Sequence, residues 1–242
     1  MKPQERYLFD LQGFLVIEDA LTPDQVNQIN AAINQKIAQS SASDQRWLRF
    51  DCLLPWGSVF QDLIDNPRLA PYLEALLGED YRLDHDYLHI IRQGTGPIGN
   101  CLHGGGTPYD PCQYYHVRHG QMFSGLTAIA YQLTEVQPGE GGFGCIPGSH
   151  KSNFPLPQEW RDLETPVGCV REVTGPVGSA ILFTEALSHG TLIWKGQRER
   201  RTLFYKYSPR PNAWARYYYN ADDFPNLTAA QRLRLKTPGL SR

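Results

Sequence analysis

From Tyr81 to Tyr207 the sequence is cut at short intervals by clusters of glycine and proline, and this punctuation limits the fold more than any other feature. Gly94-Thr95-Gly96-Pro97, Gln137-Pro138-Gly139-Glu140-Gly141-Gly142 and Ile146-Pro147-Gly148-Ser149-His150 read as turns, because glycine supplies positive φ and proline presets its own. Between them lie runs of strand character: Tyr81 to Ile91, Phe123 to Leu133, Gly168 to Val173, Ser179 to Phe183 and Thr202 to Tyr207. Helical signals come earlier. After a first strand at Gly13 to Glu18, Thr22-Pro23-Asp24 has the chemistry of a helix start, and Val26, Ile29, Ile33 and Ile37 recur on one helical face. The polar stretch Gln39 to Gln45 ends that helix in a loop. A second helix is expected near Asn66 to Leu77, stopped by Gly78, and a short one near Ala229 to Leu235. Helices followed by many short strands predict an all-β core with flanking helices, most simply a double-sheet jelly roll (a double-stranded β-helix, cupin-like) spanning residues 1–242 as one domain.

The 242 residues are 41% hydrophobic, with a net charge of −2, which suits neither nucleic acid nor an anionic membrane as main partner. No apolar run reaches membrane-spanning length, and the N-terminus lacks the apolar core of a signal peptide, so a cytoplasmic protein is expected. The five cysteines, Cys52, Cys101, Cys112, Cys145 and Cys169, are scattered without a CxxC pair and read as reduced, mostly buried thiols.

Chemistry concentrates between Gly178 and Arg201. A short apolar strand leads through a polar turn to Ser188-His189-Gly190, and the cluster Arg198, Arg200, Arg201 precedes the last strand. A histidine held at a strand end presents a lone pair in a fixed direction, and an arginine can clamp a carboxylate with two parallel hydrogen bonds. His103 stands before Gly104, Gly105 and Gly106, which leave room for a ligand or simply make a flexible loop.

In its order of signals the chain resembles the phytanoyl-CoA dioxygenase family of iron(II)- and 2-oxoglutarate-dependent oxygenases. The carriers are Phe9 to Ile17 followed by a proline-started helix, the run Gly141-Gly142-Phe143-Gly144-Cys145-Ile146-Pro147-Gly148-Ser149-His150-Lys151, and His189-Gly190-Thr191 followed by Arg200. The resemblance implies iron(II) bound by His103 and His189, 2-oxoglutarate held through its far carboxylate by Arg200 with help from Thr191, and oxidation of a small-molecule substrate with release of succinate and carbon dioxide. It also implies a His-x-Asp proximal motif, and here the chain departs from the pattern: Gly105 stands where the carboxylate belongs. A 2-His-1-carboxylate face normally leaves three positions open on iron. Three accounts of the vacancy remain: chloride, as in 2-oxoglutarate-dependent halogenases; a carboxylate swung in from Asp110; or water. Hydroxylation or a related oxidation, C–N cleavage included, ranks first, halogenation second and a non-catalytic binding protein third.

The remaining histidines have plainer readings. His85 and His89 share a face of a half-buried strand, His116 and His119 line a pocket mouth from a loop, and His150 organises its own turn. Segments Tyr114 to Arg118 and Arg210 to Tyr219 are expected to line a pocket for a small polar metabolite, with nothing suggesting an acyl-CoA groove. The sequence leaves the oligomeric state open.

Overall fold

The computed structural model describes residues 1–40, 45–94 and 101–240. The chain opens with helix α1 (Pro3–Gln12), not foreseen in the sequence. Proline occupies its first turn, and Glu5 reaches back to the Lys2 backbone N–H at 2.6 Å. It ends at Gly13, whose φ of +84° lets the chain reverse into β1 (Phe14–Ile17). A Cβ there would stand 2.6 Å from His150 Nδ1, so glycine also admits the buried histidine of the Pro147-to-Lys151 turn. Helix α2 (Pro23–Ala38) starts as expected: the Thr22 hydroxyl accepts from Gln25 N–H while the Gln25 side chain accepts from Thr22 N–H. Its face of Val26, Ile29 and Ile33 is buried.

Strand β2 (Trp47–Asp51) and the short helix α3 (Ser58–Gln61) lead to α4 (Ala70–Leu77), which begins later than the 66–77 span because Pro71 belongs in a first turn. The sheets follow: β3 (Tyr81–Ile91), β4 (Tyr115–Arg118), β5 (Gln121–Ser124), β6 (Thr127–Gln132), β7 (Gly142–Cys145), β8 (Arg171–Glu172), β9 (Ala180–Thr184), β10 (His189–Leu192) and β11 (Arg200–Pro209), then helix α5 (Ala229–Arg234). The single run expected at Phe123 to Leu133 is two strands in different sheets, divided at Gly125. Any Cβ there would meet the Cys112 carbonyl at 2.2 Å. Of the turn at Gly94 to Pro97, only Gly94 lies within the described residues, and the 39–45 loop likewise lies partly outside them.

Strands β1-β9-β6-β11-β3-β2 form one antiparallel sheet, β10-β7-β8 a second, and β4-β5 a hairpin. One face of the large sheet, with Ile129, Tyr131, Leu182, Leu203 and Tyr205, packs on Ile29, Ile33, Phe60 and Leu63 of the helical side. Two of the tyrosine hydroxyls entering that apolar layer are satisfied: Tyr205 donates to the Phe60 carbonyl at 2.8 Å and Tyr207 to that of Leu63 at 2.9 Å. The other face, with Phe14, Tyr87, Ala128, Ala130, Ile181, Phe183 and Phe204, packs on Phe143 and Cys145 of the small sheet. The core is thus sheet-rich with helices on its outer side, and the space between the two sheets is where the polar residues discussed below converge.

All five cysteines are free, but the expectation that most are buried is wrong. Only Cys145 is buried, Cys112 is half-buried, and Cys52, Cys101 and Cys169 are exposed, because they sit in connections and not on the inward faces of strands. No helix among the described residues is long and apolar enough to cross a membrane.

Candidate active site

His189 opens β10, where pairing with β7 sets its direction. The register His189↔Cys145 and Thr191↔Phe143 puts both side chains on the face turned to the large sheet. The His189 ring is 5% exposed and wedged between Phe143 and Phe183, with centroids at 5.8 and 4.7 Å. His103 comes from a separate loop but pairs directly with it. Each donates its backbone N–H to the other's carbonyl at 2.9 Å, and the rings stand 4.3 Å apart.

Both imidazoles are fixed in the same way. His103 Nδ1 lies 3.1 Å from the Cys101 carbonyl, and His189 Nδ1 lies 2.7 Å from that of Leu187. A carbonyl can only accept, so each Nδ1 carries the proton and each Nε2 keeps a free lone pair. Burial, with His103 beside it, pushes the His189 pKa down to about 3, so that ring is neutral at physiological pH. A histidine anchored through Nδ1–H directs its Nε2 outward, the arrangement a divalent metal selects.

The glycine run after His103 is structural, not slack. Gly104 has φ +76°, and a Cβ there would stand 2.4 Å from the Glu185 carbonyl and 2.6 Å from that of Leu187. The loop therefore lies flush on the turn between β9 and β10. That turn carries Glu185, which sequence reasoning passed over; its only signal is a carboxylate four residues before His189 in Thr184-Glu185-Ala186-Leu187-Ser188-His189. Glu185 is buried beside buried Lys206, whose Nζ lies 2.8 Å from Oε1. Its Oε2 lies 3.8 Å from His189 Nε2. Burial raises the Glu185 pKa, but the Lys206 ammonium beside it outweighs burial and holds it down at about 2.

Asp110, the carboxylate the sequence offered for the third position, is engaged within its own loop. Its Oδ1 accepts from the N–H groups of Cys112 and Gln113 at 2.7 and 2.9 Å, closing its own loop. Among the described residues no three His, Cys, Asp or Glu side chains stand close enough to hold a metal as they are.

Arg200 opens β11 opposite Ile91 of β3, on the same face as Thr202, Phe204 and Lys206. It is 2% exposed, and its Nε and Nη1 have no hydrogen-bond partner among the described residues. Burial alone pushes its pKa down to about 10, so it stays cationic. Gly142 makes room for it: a Cβ there would stand 3.0 Å from Arg200 Nε. The neighbouring arginines are otherwise engaged, Arg198 with Glu140 and the Glu135 carbonyl, Arg201 with Glu199, Asn30 and Asn34. Gln132, opposite Thr202 in the register, lies on the face of Arg200 and is 1% exposed, with neither amide atom partnered among the described residues. His89, also opposite Thr202, has an Nε2 without a partner among the described residues, and burial together with Arg49 and Arg200 pushes its pKa down to about 3. Neither Gln132 nor His89 stood out in the sequence, because an unmet hydrogen bond leaves no mark in residue order.

The remaining histidines divide. His85 is bonded to Asp84 at 2.8 Å. His150 is buried, with its Nε2–H donated to the Asp10 carbonyl at 3.1 Å. His116 lies in strand β4 and not in a loop, and His119 occupies the hairpin turn with φ +52°. The two segments expected to share one pocket line separate ones. Tyr115 to Val117 border a cavity of about 460 Å³ with Arg6 and Asp10, and Trp214 to Tyr219 border one of about 490 Å³ with Arg49 and Asp86. A third cavity, about 410 Å³, is lined by Gly104 to Thr107, Ser149, Phe154, Trp160, Arg161 and Ser188, and so adjoins the residues flanking His103 and His189.

Comparison with known proteins agrees with this geometry. A family model described as phytanoyl-CoA dioxygenase (PhyH) matches residues 58–202. An ectoine dioxygenase of Nocardia farcinica is 25% identical over 216 residues, covering 76% of this chain and 70% of the relative. One from Streptomyces anulatus is 22% identical over 214 residues, with the same coverage. Among solved structures, HygX from Streptomyces hygroscopicus with nickel and 2-oxoglutarate bound superposes with a TM-score of 0.81 at 23% identity, covering 89% of this chain and 90% of that one. HygX with nickel, 2-oxoglutarate and hygromycin B superposes with a TM-score of 0.76. At such identity the structures speak for the fold alone, whereas the family match takes in more than half of the chain. The chain belongs to the phytanoyl-CoA dioxygenase family of iron(II)- and 2-oxoglutarate-dependent oxygenases.

Proposed function

We propose that this protein is a double-stranded β-helix (jelly-roll) oxygenase that hydroxylates, or otherwise oxidises, a small polar metabolite. His103 and His189 hold iron(II) through their Nε2 atoms, and Arg200 grips the far carboxylate of 2-oxoglutarate. The observation that carries this reading is the Arg200 guanidinium, buried between the sheets with Nε and Nη1 unpartnered among the described residues. A buried charge without a partner is costly unless a ligand supplies one, and guanidinium geometry matches a carboxylate. Thr191 shares the inward face of β10 with His189 and provides a hydroxyl for the same molecule. When bound, iron(II) with 2-oxoglutarate and oxygen supplies the oxidising power, 2-oxoglutarate leaving as succinate and carbon dioxide.

The chain's own contribution is placement. The carbonyls of Cys101 and Leu187 hold both imidazoles in the ligating tautomer, Phe143 and Phe183 keep water from the His189 side, and the positive charge of Arg200 sets the orientation of the keto-diacid. The cavity of about 410 Å³ beside Gly105 and Ser188 is assigned to the substrate. Its volume suits a small metabolite, in keeping with relatives named for ectoine and a structural neighbour that binds hygromycin B. Halogenation is the weaker reading. A chloride at the vacant position would be a second anion beside the Glu185 carboxylate, and Lys206 is already paired with the first.

Succinate formation from 2-oxoglutarate on adding iron(II) tests the reading. The wild type is expected to turn over, faster with a matching metabolite, and to be stabilised by 2-oxoglutarate in the presence of nickel. Arg200→Met is expected to lose that stabilisation. An Arg200→Met variant that binds 2-oxoglutarate as tightly as the wild type overturns the assignment.

A further inference from the structure

We propose that Glu185 is the third protein ligand of the metal, taking the place of the carboxylate missing at Gly105. The inference rests on the metal site proposed above and concerns which side chain completes it.

Position 105 cannot readily carry an acid. Its φ is +102°, where L side chains are strained, and a Cβ would stand 3.2 Å from Ser188 Oγ. The loop is instead shaped to reach the opposite turn. Because Gly104 has no side chain, the His103 loop lies directly on the carbonyls of Glu185 and Leu187. The same contact that pairs the two histidines through their backbones therefore brings His103 to the turn bearing Glu185. That turn is itself fixed, by Glu185 N–H to the Leu126 carbonyl at 2.9 Å and Leu187 N–H to the Thr184 carbonyl at 3.0 Å.

The side chain is aimed as a ligand would be. Oε1 meets Lys206 Nζ, and Oε2 faces His189 Nε2 at 3.8 Å. Since the Leu187 carbonyl takes the Nδ1 proton, that pairing sets a carboxylate lone pair against an imidazole lone pair inside the protein. Two acceptors facing each other in a buried site repel, and a cation between them turns the repulsion into two bonds. Donors about 2.1 Å from one ion, in adjacent positions, lie about 3 Å apart. The gap of 3.8 Å therefore needs to close by less than about 1 Å. Lys206 neutralises the carboxylate and holds its other oxygen, the role that outer partners of metal-bound carboxylates play. The proposed set, two imidazoles and one carboxylate, restores the usual donor count without an acid at position 105.

Cobalt(II) titration, followed by calorimetry and by the visible ligand-field bands, tests the assignment without requiring turnover. The informative variant is Glu185→Gln with Lys206→Met, which removes both charges and leaves no buried lysine unpaired. It is expected to fold, and to lose at least about 10–100-fold in cobalt affinity with altered bands. Equal affinity and unchanged bands overturn the proposal, leaving Glu185 as half of a structural ion pair. A second measurement uses the wild type alone. Carbon-13 labelling of glutamate should reveal one carboxylate whose infrared stretches shift when cobalt binds, and no shift also overturns the proposal. Wild-type protein that binds no cobalt overturns the metal site itself. Wild type that binds cobalt with an indifferent double variant removes Glu185 alone.

Discussion

Replacing Gly104 by alanine probes the packing that brings His103 onto His189. At φ +76° an alanine suffers the ordinary left-handed penalty, about 1–2 kcal/mol. Its Cβ would also enter to 2.4 and 2.6 Å of two backbone carbonyls, those of Glu185 and Leu187. Neither oxygen can rotate away, because the turn is pinned to Leu126 and Thr184 by backbone hydrogen bonds. The loop must rise by about 1 Å, an overpacking cost of about 1–3 kcal/mol. Together these give a loss of about 2–5 kcal/mol. Two other glycines separate the parts. Gly120 has φ +74° with nothing within 4 Å of its Cβ, so Gly120→Ala should show the dihedral penalty alone. Gly105→Ala combines a φ of +102°, further from the left-handed well, with a 3.2 Å contact to a hydroxyl that can turn, so it should fall between Gly120→Ala and Gly104→Ala. Urea unfolding midpoints at constant m-value give the three differences, and cobalt titration shows whether lifting the loop also weakens metal binding. If Gly104→Ala is no more destabilising than Gly120→Ala and binds cobalt normally, the close approach does not hold the site together.

Three further outcomes are expected. Arg200→Met, which removes an unpaired buried charge, should leave the ligand-free protein as stable as the wild type or up to about 4 kcal/mol more stable; a loss above about 1 kcal/mol would reveal an internal partner for the guanidinium. His150, whose pKa burial pushes from 6.5 down to about 4, resists protonation in the fold, so its contribution is present above about pH 6.5 and is lost as the pH falls toward 4. His150→Gln, which retains a donor for the Asp10 carbonyl, should flatten that acid slope by up to about 3 kcal/mol in urea midpoints taken across this window, and an unchanged slope refutes the assignment. Asp86 works in the opposite direction, because burial raises its pKa to about 6 and its proton favours the fold as the pH drops. A thiol reagent should label Cys52, Cys101 and Cys169 quickly, Cys112 slowly and Cys145 only on unfolding, as read by mass spectrometry.

What the sequence disclosed follows from which forces leave local traces. Helix α2 was legible because Thr22, Pro23 and Gln25 form its cap locally, and its apolar period is that of a buried helical face. The Phe123-to-Leu133 run was misread as one strand because the break at Gly125 depends on the Cys112 carbonyl, a contact with no local signature. The same division runs through the site. His189, Thr191 and Arg200 belong to strands whose alternation sets their facing, so residue order separates Arg200 from Arg201, while Arg198 has the same parity and differs only in lying nearer the turn. Glu185, Lys206, Gln132 and His89 meet the site only through the stacking of two sheets, and each reads as an ordinary residue in its own segment.

The glycines after His103 join the two kinds of information. Their sequence reads equally as a flexible loop or as space for a ligand, and the structure shows Gly104 in close contact with the turn that carries Glu185. A glycine at position 105 need not record a lost function. When a loop must lie flush against another backbone, a side chain in it becomes an obstacle, and the donor it would have carried is better placed on the opposing turn. On this reasoning the departure from His-x-Asp and the carboxylate four residues before His189 are one adaptation. Gly105→Asp should then fail to tighten metal binding, since the strained backbone at φ +102° directs the new side chain toward Ser188. Cobalt affinity raised by that substitution would mean that the proximal position had been left empty and that Glu185 does not fill it.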